Sequence, residues 1–131
     1  MFAVRGDLRY TESHLWIRDE GDGVVSLGLT DYGQFQLGEI VFVELPAEGS
    51  RLVCGGVVAV VESIKTATEL HSPVTGVVEA INGHVVSGPE RINRLPYESW
   101  FVRVRLTAPP APLTPMLDAN AYRDLLPAEE G

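Results

Sequence analysis

Short apolar runs separated by turn residues follow one another along most of the chain. Residues 24–29 and 57–61 are almost continuously apolar, and residues 40–45 and 100–106 alternate apolar and polar positions with a period of two. A further apolar run at 74–81 ends at the dipeptide Asn82-Gly83, which is typical of a turn. The pattern predicts a small all-β barrel or sandwich.

Two segments show helical periodicity instead. Residues 31–37 follow a capping residue, Thr30, and precede Gly38, so they predict a helix of about two turns. A proline-rich stretch at 109–115 precedes a second predicted helix near 117–126. One face of this helix would carry five apolar side chains: Leu117, Ala121, Tyr122, Leu125 and Leu126.

The length of 131 residues is typical of one domain. We expect residues 1–23 to form an N-terminal extension packed on the barrel and residues 24–106 to form the barrel core. Residues 107–131 would then be a proline-rich linker with the terminal helix, and residues beyond 126 would fray.

Composition and charge exclude several classes of function. A hydrophobic content of 45% argues against intrinsic disorder. A formal charge of −8 has the wrong sign for nucleic acid and favours a partner with a basic docking face. The longest uncharged apolar run, residues 52–61, is too short to cross a membrane, and the N-terminus lacks an apolar signal core. We therefore expect a cytoplasmic protein with no membrane contact.

The candidates for conventional active-site chemistry are poor. Cys54 is the single cysteine, and the three histidines are scattered along the chain, so no metal site is predicted. Ser63 and Ser72 lack the context of an activated serine nucleophile.

Lys65 is the only lysine, since the other nine basic residues are arginines. It lies between the apolar run that ends at Val61 and the one that begins at Val74, a position that predicts a β-hairpin with Lys65 at or near its tip. A hairpin tip presents a side chain to solvent on a rigid support. Only lysine offers an ε-amine that can be acylated, and this placement suits recognition by a modifying enzyme.

At these residues the sequence resembles the glycine cleavage H-protein family. The lipoylation segment of the family matches Glu62-Ser63-Ile64-Lys65-Thr66, followed by Glu69 and the turn Ser72-Pro73-Val74-Thr75-Gly76. Further matches in the family's order are Tyr10-Thr11, His14, Trp16, Gly28, Thr30-Asp31-Tyr32, the run 37–46, Ile92-Asn93, Pro96-Tyr97, Trp100, Leu117-Asp118-Ala119 and Tyr122.

The resemblance implies a lipoyl-domain-like barrel-sandwich hybrid that is a carrier and not an enzyme. It implies lipoate joined as an amide to Lys65, with Glu62, Ser63, Ile64, Thr66 and Glu69 forming the surroundings of the attachment site. Ser13 and His14 are candidates for the cleft in which the arm rests.

The implied cargo is the aminomethyl group derived from glycine. The implied partners are the P-protein (glycine decarboxylase), the T-protein (aminomethyltransferase) and the L-protein (dihydrolipoyl dehydrogenase). A lipoate ligase or octanoyltransferase would modify the lysine, and we expect a monomer.

Two departures from the family keep alternatives open. Leu15 stands where the family has a glutamate, and residues 83–91 replace a more acidic segment. An H-protein-like lipoate carrier that serves sulfur oxidation or lipoyl relay is therefore the main alternative. A biotin carrier is disfavoured because Ile64 and Thr66 stand where methionines flank a biotinylated lysine. A scaffold that has lost its cofactor is disfavoured by the intact lysine segment.

Overall fold

The computed structural model describes residues 2–107 and 116–127. Within them the chain forms nine strands and four short helices. The strands are β1 (Arg9–Tyr10), β2 (Leu15–Gly21), β3 (Val24–Leu29), β4 (Ile40–Glu44), β5 (Arg51–Leu52), β6 (Val57–Ser63), β7 (Ala67–His71), β8 (Gly76–Ile81) and β9 (Val102–Leu106). The helices are α1 (Asp31–Leu37), α2 (Gly83–Ser87), α3 (Arg91–Arg94) and α4 (Ala119–Leu125).

The strands form two antiparallel sheets that enclose the main core. One sheet has six strands in the order β1-β2-β3-β9-β8-β5, and the other has three in the order β4-β6-β7. The core between them is almost entirely aliphatic, with Phe101 as its one fully buried aromatic side chain. The predicted all-β sandwich architecture is confirmed. Residues 15–21, expected in an N-terminal extension, form a full strand, β2, of the larger sheet.

A second buried cluster covers part of the outer face of the six-stranded sheet. Leu15 and Ile17 point into the main core, so Trp16 between them points to the opposite face. Its indole ring lies flat over the next strand, where a Cβ atom on Gly28 would come within 2.3 Å of the ring. Around Trp16 the cluster contains Leu8, Tyr10, Tyr97, Ala119 and Tyr122. The chain therefore closes this face with its first residues and its last helix.

Both predicted helices are present. The Thr30 hydroxyl accepts a hydrogen bond from the Gly33 amide at 3.1 Å, and Gly38 ends α1 with a positive φ of 82°. The terminal helix is shorter than the predicted 117–126, because Leu117 pairs with Tyr10 in an isolated β-bridge before the helix begins. Leu125 is 48% exposed, so the expected five-residue apolar face is wrong at that position. The stretch 108–115 and residues 128–131 lie outside the described residues.

The connection between β8 and β9 differs from the sequence expectation. The predicted turn at Asn82-Gly83 is wrong, because the Asn82 side chain accepts a hydrogen bond from the His84 amide and starts helix α2. Asparagine followed by glycine suits a tight turn and a helix N-cap alike, and local sequence does not distinguish them.

The strict alternation of apolar and polar positions predicted for residues 40–45 is also wrong, since a bulge after Ile40 leaves both Val41 and Phe42 exposed.

Tyr122 anchors the last helix to the start of α1. Its hydroxyl lies 2.7 Å from Thr30 Oγ1 and 2.8 Å from His14 Nδ1, and its ring stacks on Tyr10 with 4.4 Å between the centroids. None of the described helices is both long and apolar enough to cross a membrane.

We predict that Tyr122→Phe lowers the free energy of unfolding by about 1–3 kcal/mol, because the buried Thr30 hydroxyl and the half-buried His14 ring both lose their hydrogen bond to Tyr122. Tyr32→Phe is the matched control, because among the described residues the Tyr32 hydroxyl bonds only the exposed Gln36 side chain, and it should change the stability by less than about 0.5 kcal/mol. Urea unfolding of both variants measures the difference. Equal stabilities of the two variants would contradict this role of Tyr122.

Candidate functional site

Lys65 lies in the tight turn that joins β6 to β7. The Ser63 amide donates to the Thr66 carbonyl at 2.8 Å, so Ile64 and Lys65 are the two residues of the loop. The hairpin predicted around Lys65 is therefore confirmed. Its return strand, β7, is residues 67–71 and not the apolar run from Val74, because β7 has exposed polar positions and lacks the continuous apolar signal on which the prediction was based.

Ser63 stabilises the turn with its side chain. Its hydroxyl oxygen lies 3.2 Å from the amide nitrogens of both Lys65 and Thr66 and accepts from them. In the described chain the only non-glycine residues with positive φ are His14 and Asp22, so neither loop residue has the left-handed geometry usual in two-residue hairpins. The buried Ser63 side chain thus supports a turn that backbone twist alone does not favour.

The turn is also tied to the segment that joins α1 to β4. The Ile64 amide donates to the Glu39 carbonyl at 3.0 Å, and β6 pairs with β4 so that Ser63 lies opposite Ile40. Gly38 lies under the lysine stem, because a Cβ atom added there would stand 2.9 Å from Lys65 Cε and 3.3 Å from Nζ. A larger residue would push the stem away, so glycine suits Gly38 by its size as well as by its positive φ.

The Lys65 ammonium makes no hydrogen bond or ion pair with any described residue, and its side chain is exposed. Ile64 beside it is 67% exposed, so the turn presents an apolar side chain next to the lysine. Thr66 and Glu69 are exposed, and Glu62 is half-buried opposite Ala67. These residues, predicted from sequence as surroundings of the lysine, all lie in the same hairpin.

Ser13 and His14 occupy a different place. The Ser13 hydroxyl lies 2.9 Å from Thr11 Oγ1, and the His14 ring packs against Tyr32 in the first turn of α1. Neither has a hydrogen bond or ring contact with the lysine turn among the described residues. Burial lowers the pKa of His14. Leu15 is fully buried in the main core.

Asn93 is a structural residue of the site that pattern analysis did not single out. Its amide group donates to Gln34 Oε1 at 2.8 Å and to the Gly38 carbonyl at 2.9 Å, and its carbonyl oxygen accepts from the Ile40 amide at 2.9 Å. It thus fixes both neighbours of Glu39, the residue that holds the turn. Its presence in the motif Ile92-Asn93 was the only available signal.

A metal centre has no support in the described part of the chain, where no three His, Cys, Asp or Glu side chains are grouped suitably. The site offers instead a lone amine on a braced turn. Such an arrangement suits covalent attachment of a prosthetic group.

Comparison with known proteins agrees with this geometry. The family model for the glycine cleavage H-protein matches residues 8–129. This chain belongs to the glycine cleavage H-protein family. A glycine cleavage system H protein of Chromohalobacter salexigens is 44% identical over 131 residues, which cover 99% of each chain. The corresponding protein of Burkholderia ambifaria is 44% identical over 126 residues, 96% of this chain and 99% of its own.

A solved structure extends the likeness to the fold. The crystal structure of a glycine cleavage system H protein from Mycobacterium marinum superposes with a TM-score of 0.83 at 33% identity, covering 92% of this chain and 97% of that one. The H-protein assignment identifies a lipoyl carrier of glycine cleavage and does not favour the alternative carriers of other pathways. The Leu15 departure does not remove the chain from the family.

We predict that Asn93→Ala speeds hydrogen exchange of the Ile64 amide, because the Glu39 carbonyl loses the two ties that hold its neighbours. Exchange followed by NMR measures this local effect. Asn120→Ala, which removes an exposed bond to Arg123, is the control and should leave the Ile64 amide unchanged. An Ile64 amide that is equally protected in both variants would refute the role of Asn93.

We also predict that stability falls as the pH drops below about 6.5, the ordinary pKa of histidine. Burial lowers the pKa of His14 in the folded chain, so the unfolded chain binds the proton first. This contribution is complete above pH 6.5 and is lost below it. His14→Asn, which tolerates the positive φ of 71°, should show a flatter dependence between pH 7 and pH 5 in urea unfolding. Identical slopes for the two proteins would contradict the assignment.

Proposed function

We propose that Lys65 carries a lipoyl group as an amide on its ε-nitrogen, and that the chain thereby transports the aminomethyl group of glycine from the P-protein to the T-protein, with reoxidation by the L-protein. The observation that carries the proposal is a single lysine, unpaired among the described residues, in the braced turn of a glycine cleavage H-protein. A lipoate ligase or octanoyltransferase would attach the group.

The residues around Lys65 fit such an attachment. Gly38 leaves space beneath the Lys65 stem, so the stem leaves the surface without a steric barrier. Ser63 and the Glu39 carbonyl hold the backbone at the root of the side chain. The backbone at Lys65 is thus fixed while the end of its side chain is free, and a swinging arm requires both.

When bound, the lipoyl group supplies a disulfide and dithiol pair that accepts and releases the cargo. The protein determines where the lipoyl group is held. Lys65 with its attached group would reach on the order of 12–15 Å beyond its Cα atom. A fixed point of attachment keeps the reacting end at a high effective concentration near each docked partner.

Ser13 and His14 would lie within reach of this arm. Lys65 lies beside Gly38 at one end of α1, and His14 lies beside the first turn at the other. Seven helical residues span about 10 Å, which is shorter than the arm. We therefore place the resting cleft of the arm along α1, with Ser13 and His14 at its far end. The ring of Tyr32 would form part of its wall.

We predict that Lys65→Arg abolishes lipoylation and glycine–bicarbonate exchange, because an arginine keeps the positive charge but has no amine that can be acylated. The fold should be unaffected, with a stability within about 0.5 kcal/mol of the parent, since the side chain is exposed. Intact mass after incubation with lipoate and a lipoylating enzyme, followed by the exchange assay with a P-protein, tests both points.

A matched control moves the lysine from the turn to an exposed position in a strand. Lys65→Arg combined with Arg51→Lys restores one lysine, now in β5, and should remain unmodified because the turn is absent there. Lipoylation of the moved lysine would show that any exposed amine suffices. Retained exchange activity in Lys65→Arg would overturn the proposed function.

A further inference from the structure

The outer face of the three-stranded sheet carries carboxylates beside apolar side chains. In the register of the strands, Phe42, Glu62 and Ala67 form one row across the sheet. The next outward row is formed by Glu44, Val60 and Glu69. The row between them, with Val43 and Val61, points into the core. We call the two outward rows the glutamate face.

Nothing in the described part of the chain covers this face. Phe42 is 47% exposed, and none of the three glutamates makes a hydrogen bond or ion pair with a described residue. The six-stranded sheet differs, because its outer face is partly closed by the cluster around Trp16. There Arg18 lies 4.6 Å from the centroid of the Trp16 ring and Arg103 lies 4.2 Å from that of Trp100, so these cations are held away from the glutamate face.

Lys65 supplies the only lysine or arginine charge in the three strands of the glutamate face and in the turn between β6 and β7. Strands β4, β6 and β7 contain no lysine or arginine, and the turn between β6 and β7 adds only Lys65. Forming an amide at the ε-nitrogen removes that positive charge. The face and the turn then carry carboxylates alone, together with the exposed side chains of Phe42 and Ile64.

We propose that the glutamate face docks the P-protein through lysine and arginine side chains that this partner presents around an apolar recess, and that acylation of Lys65 strengthens this docking. Opposite charges favour and orient the encounter, while Phe42 and Ile64 supply the contact area that excludes water. A partner bound to this face would have Lys65, the attachment point of the arm, at the edge of the interface. The second half of the proposal rests on the proposed acylation of Lys65.

The test measures binding to the P-protein of the same organism, with no lipoyl group on any variant. Glu44→Gln combined with Glu69→Gln should weaken binding roughly three- to tenfold at low salt and should flatten its dependence on salt, because two exposed ion pairs are lost. Lys65→Gln, which mimics the neutral acylated lysine, should bind roughly twofold or more tighter than the parent, because it removes a positive charge that repels the partner's lysine and arginine side chains. Phe42→Ser should weaken binding with an unchanged salt dependence.

The control carries the same change of net charge at another place. Glu98→Gln combined with Asp124→Asn alters two exposed carboxylates, one between α3 and β9 and one in α4. Binding of this control should match the parent within about twofold. An equal loss in both double variants would overturn the proposal, because net charge would then be the cause.

Other outcomes are equally decisive. Lys65→Gln binding no tighter than the parent would refute the effect of acylation, and a complete absence of binding at low salt would refute the docking face. Because these measurements need no lipoyl group, they are separate from a failure of the proposed function, which would appear as missing lipoylation or exchange.

Discussion

The hydrogen bond from the Ile64 amide to the Glu39 carbonyl is the contact on which the presentation of Lys65 depends. A two-residue loop without left-handed residues is a weak structure by itself. Here Ser63 supports it from within, and Glu39 holds it from the neighbouring segment. Glu39 is in turn fixed on both sides by Asn93, which bonds Gly38 and Ile40. The rigidity of the lysine root therefore comes from three separate parts of the chain.

The two sheets differ in whether their outer faces are covered by other parts of the chain. The six-stranded sheet buries a second core under the N-terminal residues and α4, in which Trp16, Tyr10 and Tyr122 are the largest fully buried side chains. The three-stranded sheet leaves its outer face to solvent beside the lysine. On the outer side of the six-stranded sheet, Arg18 and Arg103 make cation–π contacts with Trp16 and Trp100. The outer face of the three-stranded sheet carries exposed acidic side chains, as the proposed docking requires.

Helix α1 connects these two regions. Its first turn contacts His14, and its cap residue Thr30 is bonded to Tyr122 from the last helix. Its end at Gly38 forms the floor under the Lys65 stem. A helix of seven residues has little stability in isolation, so its position is determined by these contacts at both ends. The terminal helix consequently supports the lysine site although it lies outside the sandwich.

Local sequence was sufficient where the signal is local. The strand Val24–Leu29 and helix α1 with its Thr30 cap and Gly38 end follow from periodicity and capping within a few residues. The hairpin at Lys65 was also predicted, but its return strand was not, because β7 has no continuous apolar signal. The unique lysine and its surrounding motif identified the family. Sequence periodicity did not predict helices α2 and α3, the bulge after Ile40, or the role of Asn93. Asn93 lies 55 residues from Gly38 along the chain, and a side chain acquires such partners only when the fold brings distant segments together. Tertiary structure alone decided how the lysine is held, because no local pattern encodes a contact between segments so far apart.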